Sequence, residues 1–202
     1  MKLRPIILSL STEDQLLRGR EGVQAQSRRA REALVLSCEA SGVALGFLNK
    51  GDRDAPLPFN NTYWSLSHKP RYVAAVVGPA PIGIDIEEIV PRNEGLHAYI
   101  ADESEWALAG RGWETFFRYW TAKEAVLKAV GIGISHLKKA RIHAVLDQDN
   151  LLVDYASRLW PVRHVRFQDH LVALMHDGHE VVWSLLQNPT PCDDSVTVPS
   201  EP

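Results

Sequence analysis

The chain has little of what marks several protein classes. Its 202 residues hold two cysteines, Cys38 and Cys192, and neither sits in a CxxC or metal-ligand spacing. That argues against a disulfide framework and fits two unpaired thiols in a reducing compartment. Cys38 lies in an apolar helical stretch, where a small core filler is expected rather than a nucleophile. No apolar run approaches the ~18 residues needed to span a bilayer. The opening segment Leu3–Leu8 is too short in its apolar part for a secretory signal, so a soluble cytoplasmic protein is expected. Net charge is also small, −3, which gives no global footprint for nucleic acid or an anionic membrane. Any anionic ligand must therefore meet a local cluster of basic groups. His136, His143, His164, His170, His176 and His179 form no HxxxH or HxH pair, so a zinc site is not expected.

What is present is ordinary globular material: 45% hydrophobic and 23% charged residues, enough to bury a core at this length. Residues 3–10 read as a strand, followed by a helix start at Ser11-Thr12-Glu13-Asp14. A helix runs from about Gln24 to Ser41 and stops at Gly42. Residues 49–61 carry loop chemistry. The apolar run Tyr72–Val77 reads as a buried strand, and after Gly78-Pro79-Ala80-Pro81 another strand spans Ile82–Glu87. A second helix covers about Glu114 to Val130 and stops at Gly131. Strands are expected near 142–146, 151–155 and 162–167, with a closing hairpin of Leu171–Met175 and Val181–Leu186. From Asn188 onward the chain lacks apolar periodicity, and residues 189–202 are expected to be disordered.

One echo suggests a duplication. Ala30-Arg31-Glu32-Ala33-Leu34-Val35-Leu36 is matched in type by Ala122-Lys123-Glu124-Ala125-Val126-Leu127-Lys128, and an apolar strand follows each. The identities are few, but the similar order of elements supports two related halves, 1–80 and 81–188.

The chemistry concentrates in the second half. In Gly83-Ile84-Asp85-Ile86-Glu87, side chains two apart share a strand face, so Asp85 and Glu87 point one way and the isoleucines the other. Two adjacent carboxylates repel unless solvent or a cation lies between them. A solvated sheet edge is the bland alternative. On the second helix Phe116, Trp120, Leu127 and Val130 form an inward stripe. Trp120, Glu124 and Lys128 fall in one row. An exposed Glu124–Lys128 pair would contribute only ~0.3–0.5 kcal/mol, but a row headed by tryptophan is poorly suited to full exposure.

These residues resemble a known family. Gly83–Glu87 followed by Trp120-Thr121-Ala122-Lys123-Glu124-Ala125-Val126-Leu127-Lys128 is similar to the paired signature of the 4′-phosphopantetheinyl transferases. Trp64-Ser65-Leu66-Ser67-His68 resembles the serine-histidine motif of the larger class, which acts on carrier proteins of peptide, polyketide and fatty-acid synthases. The likeness covers roughly residues 10 to 185. It implies an α+β fold of two similar halves about a pseudo-twofold axis, with coenzyme A between them, in a monomer.

By position, the resemblance makes Asp85, Glu87 and Glu124 ligands of Mg²⁺, with oxygen donors of the kind that ion prefers. Lys128 matches a lysine near the pyrophosphate, and Lys123 precedes the metal glutamate as in the family. Ser67 and His68 match residues near the 3′-phosphate and adenine. Arg53 falls near a basic loop position, although the loop here reads Asp52-Arg53-Asp54-Ala55-Pro56. Arg28 stands for the basic helix cluster Arg28-Arg29-Arg31, whose register is ambiguous and whose plain alternative is a solvated face. For His68 the plain alternative is a turn histidine capping the next strand. The implied reaction moves phosphopantetheine from coenzyme A to a serine of an acyl or peptidyl carrier protein, with Glu124 and Lys128 catalytic and 3′,5′-ADP released. Neither nucleic acid nor membrane is an expected partner. Two rivals stand beside it: the short trimeric holo-acyl-carrier-protein synthases, about half this length, and a non-catalytic coenzyme A- or carrier-binding relative.

Overall fold

The computed structural model describes residues 2–51 and 54–186, except for the side chain of Ile134. Arg53, Cys192 and the tail expected to be disordered lie outside the described residues.

The chain opens with β1 (Ile6–Ser9) and α1 (Thr12–Leu16), whose N-cap Ser11 accepts from the backbone N–H of Asp14. The long α2 (Gly19–Ser41) begins five residues before the expected start and ends at Gly42 in the left-handed conformation. Then come β2 (Tyr63–His68), β3 (Tyr72–Gly78) and β4 (Gly83–Glu88). Short helical turns, including α3 (His97–Ile100) and α4 (Glu103–Trp106), lead to α5 (Trp113–Val130). Like α2, α5 ends on a left-handed glycine, Gly131. The strands β5 (Arg141–Val145), β6 (Asn150–Tyr155), β7 (Arg158–Phe167), β8 (His170–Met175) and β9 (Ser184–Leu186) complete the order.

Two sheets form, ordered β2-β3-β1-β9 and β4-β8-β7-β6-β5. All pairings are antiparallel except β1 with β9. The alternation of side chains divides the interior into three cores. Leu8, Val73, Ala75 and Val77 pack outward against Ala30, Ala33 and Leu34 of α2. Leu171, Ala173 and Met175 pack outward against Phe116, Ala122, Ala125 and Val126 of α5. Between the sheets lie Ile7, Ala74, Val76, Ile84, Ile86, Val172 and Leu174. The result is four layers, helix–sheet–sheet–helix, of mixed α and β structure. The segments that echo one another in sequence hold matching places, since the order β2-β3-β1 under α2 parallels β7-β8-β4 under α5.

One expected element is overturned. Leu171–Met175 and Val181–Leu186 do not form a hairpin: β8 lies between β4 and β7, while β9 crosses to the first sheet and runs parallel to β1. Val181 and Trp183 explain the crossing, because both pack into the core between the sheets, and Val182 N–H donates to the carbonyl of Leu3. Val130, expected in the inward stripe, is exposed at the end of α5, whereas Phe116 and Leu127 are fully buried. No helix among the described residues is long and apolar enough to cross a membrane.

Candidate active site

The site forms where β4 meets α5 and the edge strand β2. Gly83 sets the approach: a Cβ there would lie 1.8 Å from the carbonyl oxygen of Ala125 and 2.7 Å from the nitrogen of Ala129. Only a residue without a side chain lets β4 and α5 come so close, and that brings the alternate face of β4 against the Glu124–Lys128 row. Ile84 and Ile86 point into the inter-sheet core as expected, so Asp85 and Glu87 face α5. Neither carboxylate is solvated: Asp85 is 5% and Glu87 3% exposed.

Such burial demands partners. Asp85 Oδ1 accepts from Lys128 Nζ at 2.7 Å and from Ser67 Oγ at 2.8 Å. Lys128 also donates to the carbonyl of Ile84 at 3.0 Å, and Ser65 Oγ accepts from the N–H of Ile84 at 3.1 Å, so β4's edge is satisfied by side chains from both halves. Glu87 pairs with Lys69 at 2.7 Å and with Arg92 at 3.3 Å, one cation on each carboxylate oxygen. Two oxygens are left over. Among the described residues, Asp85 Oδ2 and Glu124 Oε1 are buried without a hydrogen-bond partner. Burial pushes the Glu124 carboxyl up to about 7, helped by the Asp85 and Glu87 charges and opposed by Lys128 and Lys69. Burial, then Asp85, pushes Glu87 up as well, against its two cations.

These facts decide whether the residues fit a divalent cation. Hard carboxylate oxygens that are buried and unpaired suit a small hard cation. Of the three expected ligands, Asp85 and Glu124 present such oxygens, while Glu87 is already turned to Lys69 and Arg92. The acidic and histidine groups whose ligand atoms gather within 4.8 Å among the described residues are instead Glu88, Asp169 and His170. Arg71 already bridges both carboxylates of that group.

Basic groups converge on the same cleft. His68 Nδ1 lies 2.9 Å from Gln26 Oε1, and since an amide oxygen only accepts, Nδ1 is the donor. Burial pushes its pKa down, and Lys128, Lys69 and Lys50 push it further in the same direction against Asp85. A cavity of about 170 Å³ opens beside them, walled by Lys50, Trp64 and Leu66 on one side and Leu127, Lys128 and Gly131 on the other. Ser67, His68, Asp85, Glu87, Glu124 and Lys128 are thus brought together.

Two expected cofactor residues are not. Lys123 is 1% exposed, and its ammonium donates to Glu105 at 2.7 Å and to the Ile100 carbonyl at 2.5 Å. One residue from Glu124 on a helix is a turn of about 100°, which sends Lys123 into the core instead of the cleft. Arg28 is exposed and pairs with Asp14, so the helix residue that reaches His68 is Gln26. Sequence reasoning missed Gln26, Lys69 and Arg92. Lys69 adjoins His68 and Arg92 follows Glu87 by five residues, so proximity offered a faint signal for both. Gln26 offered none, because its partner lies 42 residues away.

Comparison with known proteins adds an independent finding. Residues 81–175, which hold β4, α5 and β8, match the family model of the 4′-phosphopantetheinyl transferase superfamily. Similar curated proteins include 4′-phosphopantetheinyl transferase psf-1 of Bacillus pumilus, 40% identical over 79 residues, 37% of this chain and 34% of that one. The 4′-phosphopantetheinyl transferase HetI of a Nostoc species is 33% identical over 107 residues, 46% of this chain and 41% of its own length. A 4′-phosphopantetheinyl transferase of Bacillus subtilis is 26% identical over 113 residues, 53% and 50% of the two chains. The matched stretches therefore span half or less of these relatives.

Proposed function

We propose, from the match of residues 81–175 to the 4′-phosphopantetheinyl transferase superfamily and the likeness to its curated members, that this chain transfers phosphopantetheine from coenzyme A to a serine of an acyl or peptidyl carrier protein. The observation that carries the proposal is the pair of buried oxygens without a partner among the described residues, Asp85 Oδ2 and Glu124 Oε1, near Lys128, which also lines a cavity together with Lys50, while Lys50, Lys69 and Lys128 all act on His68. A diphosphate needs such a cluster of cations, and this chain has no global positive charge to offer instead.

In this reading the two halves, 1–80 and 81–188, act as one monomeric unit in the cytoplasm and hold coenzyme A between them. Asp85 and Glu124, with Glu87 beside them, would hold Mg²⁺, which when bound would neutralise the diphosphate oxygens. The serine Oγ attacks the β-phosphorus of coenzyme A, the bond to the 3′,5′-ADP oxygen breaks, and the serine proton passes to Glu124. Lys128 moves from Asp85 toward the diphosphate, where it offsets the charge growing on the leaving oxygen. Ser67 keeps Asp85 oriented meanwhile.

The test is direct. The purified protein is incubated with coenzyme A, Mg²⁺ and a panel of apo carrier proteins, and the carriers are weighed by mass spectrometry. A carrier gaining one phosphopantetheine on its serine is the expected result. A folded protein that binds coenzyme A but modifies no carrier would point to the non-catalytic relative.

A further inference from the structure

We propose that Gln26 is a positioning residue for His68: its amide oxygen holds a proton on Nδ1, so that the ring meets the 3′-phosphate of coenzyme A through Nε2. This rests on the function proposed above. Gln26 stands four residues before Ala30 and eight before Leu34, so it lies on the row of α2 that faces the first sheet. Its Oε1 is 2.9 Å from Nδ1. An amide oxygen only accepts, so Nδ1 is the donor in this arrangement. Among the described residues Nε2 makes no hydrogen bond, and it is therefore the ring nitrogen left for a ligand.

The charged groups around the ring come from every neighbouring element: Lys50 from the loop after α2, Lys69 from the turn after β2, Asp85 from β4 and Lys128 from α5. Burial first, and then Lys128, Lys69 and Lys50 against Asp85 among the described residues, push the ring's pKa down and favour the neutral, singly protonated form in the free protein. A phosphate monoester carries nearly two negative charges at pH 7 and reverses that balance. The ring then takes a second proton from solvent at Nε2 and donates it to the phosphate. The imidazolium needs an acceptor at both nitrogens, and Gln26 Oε1 already supplies one. Were the amide turned the other way, its NH₂ would face the Nδ1–H of the charged ring, donor against donor. Gln26 thus couples binding of the phosphate to uptake of one proton, a coupling that a merely structural glutamine would not produce.

Three measurements test this on the full chain. Nitrogen-15 spectra of histidine-labelled, ligand-free protein read the His68 tautomer. Titration calorimetry in buffers of different ionisation heat reads proton uptake on binding coenzyme A or 3′-dephospho-coenzyme A. Both are repeated on Gln26→Leu and Gln26→Glu. The expected results are an Nδ1–H tautomer that Gln26→Leu loses, and proton uptake with coenzyme A alone. Gln26→Leu should weaken coenzyme A roughly 3–10-fold, the loss of about one hydrogen bond, without touching 3′-dephospho-coenzyme A. Gln26→Glu should keep the affinity yet reduce proton uptake, because its carboxylate charges the ring beforehand. An Nε2–H tautomer in the wild type, or equal losses for both cofactors, overturns the inference while leaving the transferase reading standing. Wild-type protein with the stated tautomer that binds neither cofactor overturns the transferase reading, and the phosphate role of His68 with it.

Discussion

Lys128 Nζ stands 2.7 Å from Asp85 Oδ1, a partner 43 residues away on another element, and that pair replaces the exposed Glu124–Lys128 pair of the bland sequence reading. A lysine shared between a buried carboxylate and a cleft is poised to move toward a stronger anion. It also explains why Glu124 keeps an unpaired oxygen although a cation sits one turn along its own helix.

Lys128→Ala should therefore lower kcat by roughly 10²–10³-fold, about 2.7–4 kcal/mol of transition-state stabilisation. The KM for coenzyme A should change far less, because in the proposed function the nucleotide end would be held by His68 and not by Lys128. Steady-state kinetics with a carrier protein decide the matter. A rise in KM at unchanged kcat would assign Lys128 to ground-state binding alone.

The raised Glu124 carboxyl makes a pH prediction whose sign is fixed. In the unfolded chain a glutamate ionises near 4.3, and in the fold it ionises at about 7. Between those values the native state holds the extra proton, so this group makes stability fall as pH rises through the window and level off above it. Lowered histidines work oppositely below their ordinary value, His164 above all, at about 4 and fully buried. The difference between wild type and Glu124→Gln isolates the one residue. By urea unfolding, the variant's advantage should grow from pH 5 to pH 7 and stay constant beyond. A divalent cation should restore wild-type stability more at pH 8 than at pH 6, since it competes with the proton.

The parts of this site that the sequence exposed are those written in local periodicity. Alternation in β4 placed Asp85 and Glu87 on one face, and the four-residue step in α5 aligned Glu124 with Lys128. Glycines at 42 and 131 marked both helix ends. What stayed hidden depends on which distant surface a segment meets. Val181–Leu186 has the pattern of a strand, but nothing in it says that its partner is β1 instead of β8. Lys123 looks like any surface lysine beside a functional glutamate until Glu105, 18 residues earlier, is seen in the core next to it.

That buried pair supports a third prediction. Glu105 Oε1 accepts from Lys123 Nζ and from the N–H of Ile142, and its Oε2 accepts from the N–H of Asp102. One carboxylate thus ties α4, α5 and β5 together. Removing one partner of a buried pair leaves the other charge uncompensated, so Lys123→Ala should cost about 3–5 kcal/mol in urea unfolding. Coenzyme A affinity of the protein that remains folded should match wild type. A weakened affinity at unchanged stability would return Lys123 to the cofactor.

Gly83 gives the sharpest structural prediction. Its φ is not in the left-handed region, so any cost of a side chain comes from space and not from backbone strain. The space is closed by main chain: an added Cβ would lie 1.8 Å from Ala125 O, 2.7 Å from Ala129 N and 2.9 Å from Ala125 C. No rotamer change relieves contacts with a helix backbone, so Gly83→Ala must push β4 away from α5. Overpacking of this kind costs about 3 kcal/mol or more. It should also separate Asp85 from Lys128 and abolish transfer in the folded fraction. Gly112, the uncapped N-cap of α5, is the control, because a Cβ there meets nothing within 4 Å and Gly112→Ala should cost less than about 1 kcal/mol. Urea midpoints measured side by side give the answer. Equal midpoints for the two variants would mean that β4 and α5 do not touch at Gly83, and the geometry that sets Asp85 against Glu124 and Lys128 would have to be rebuilt.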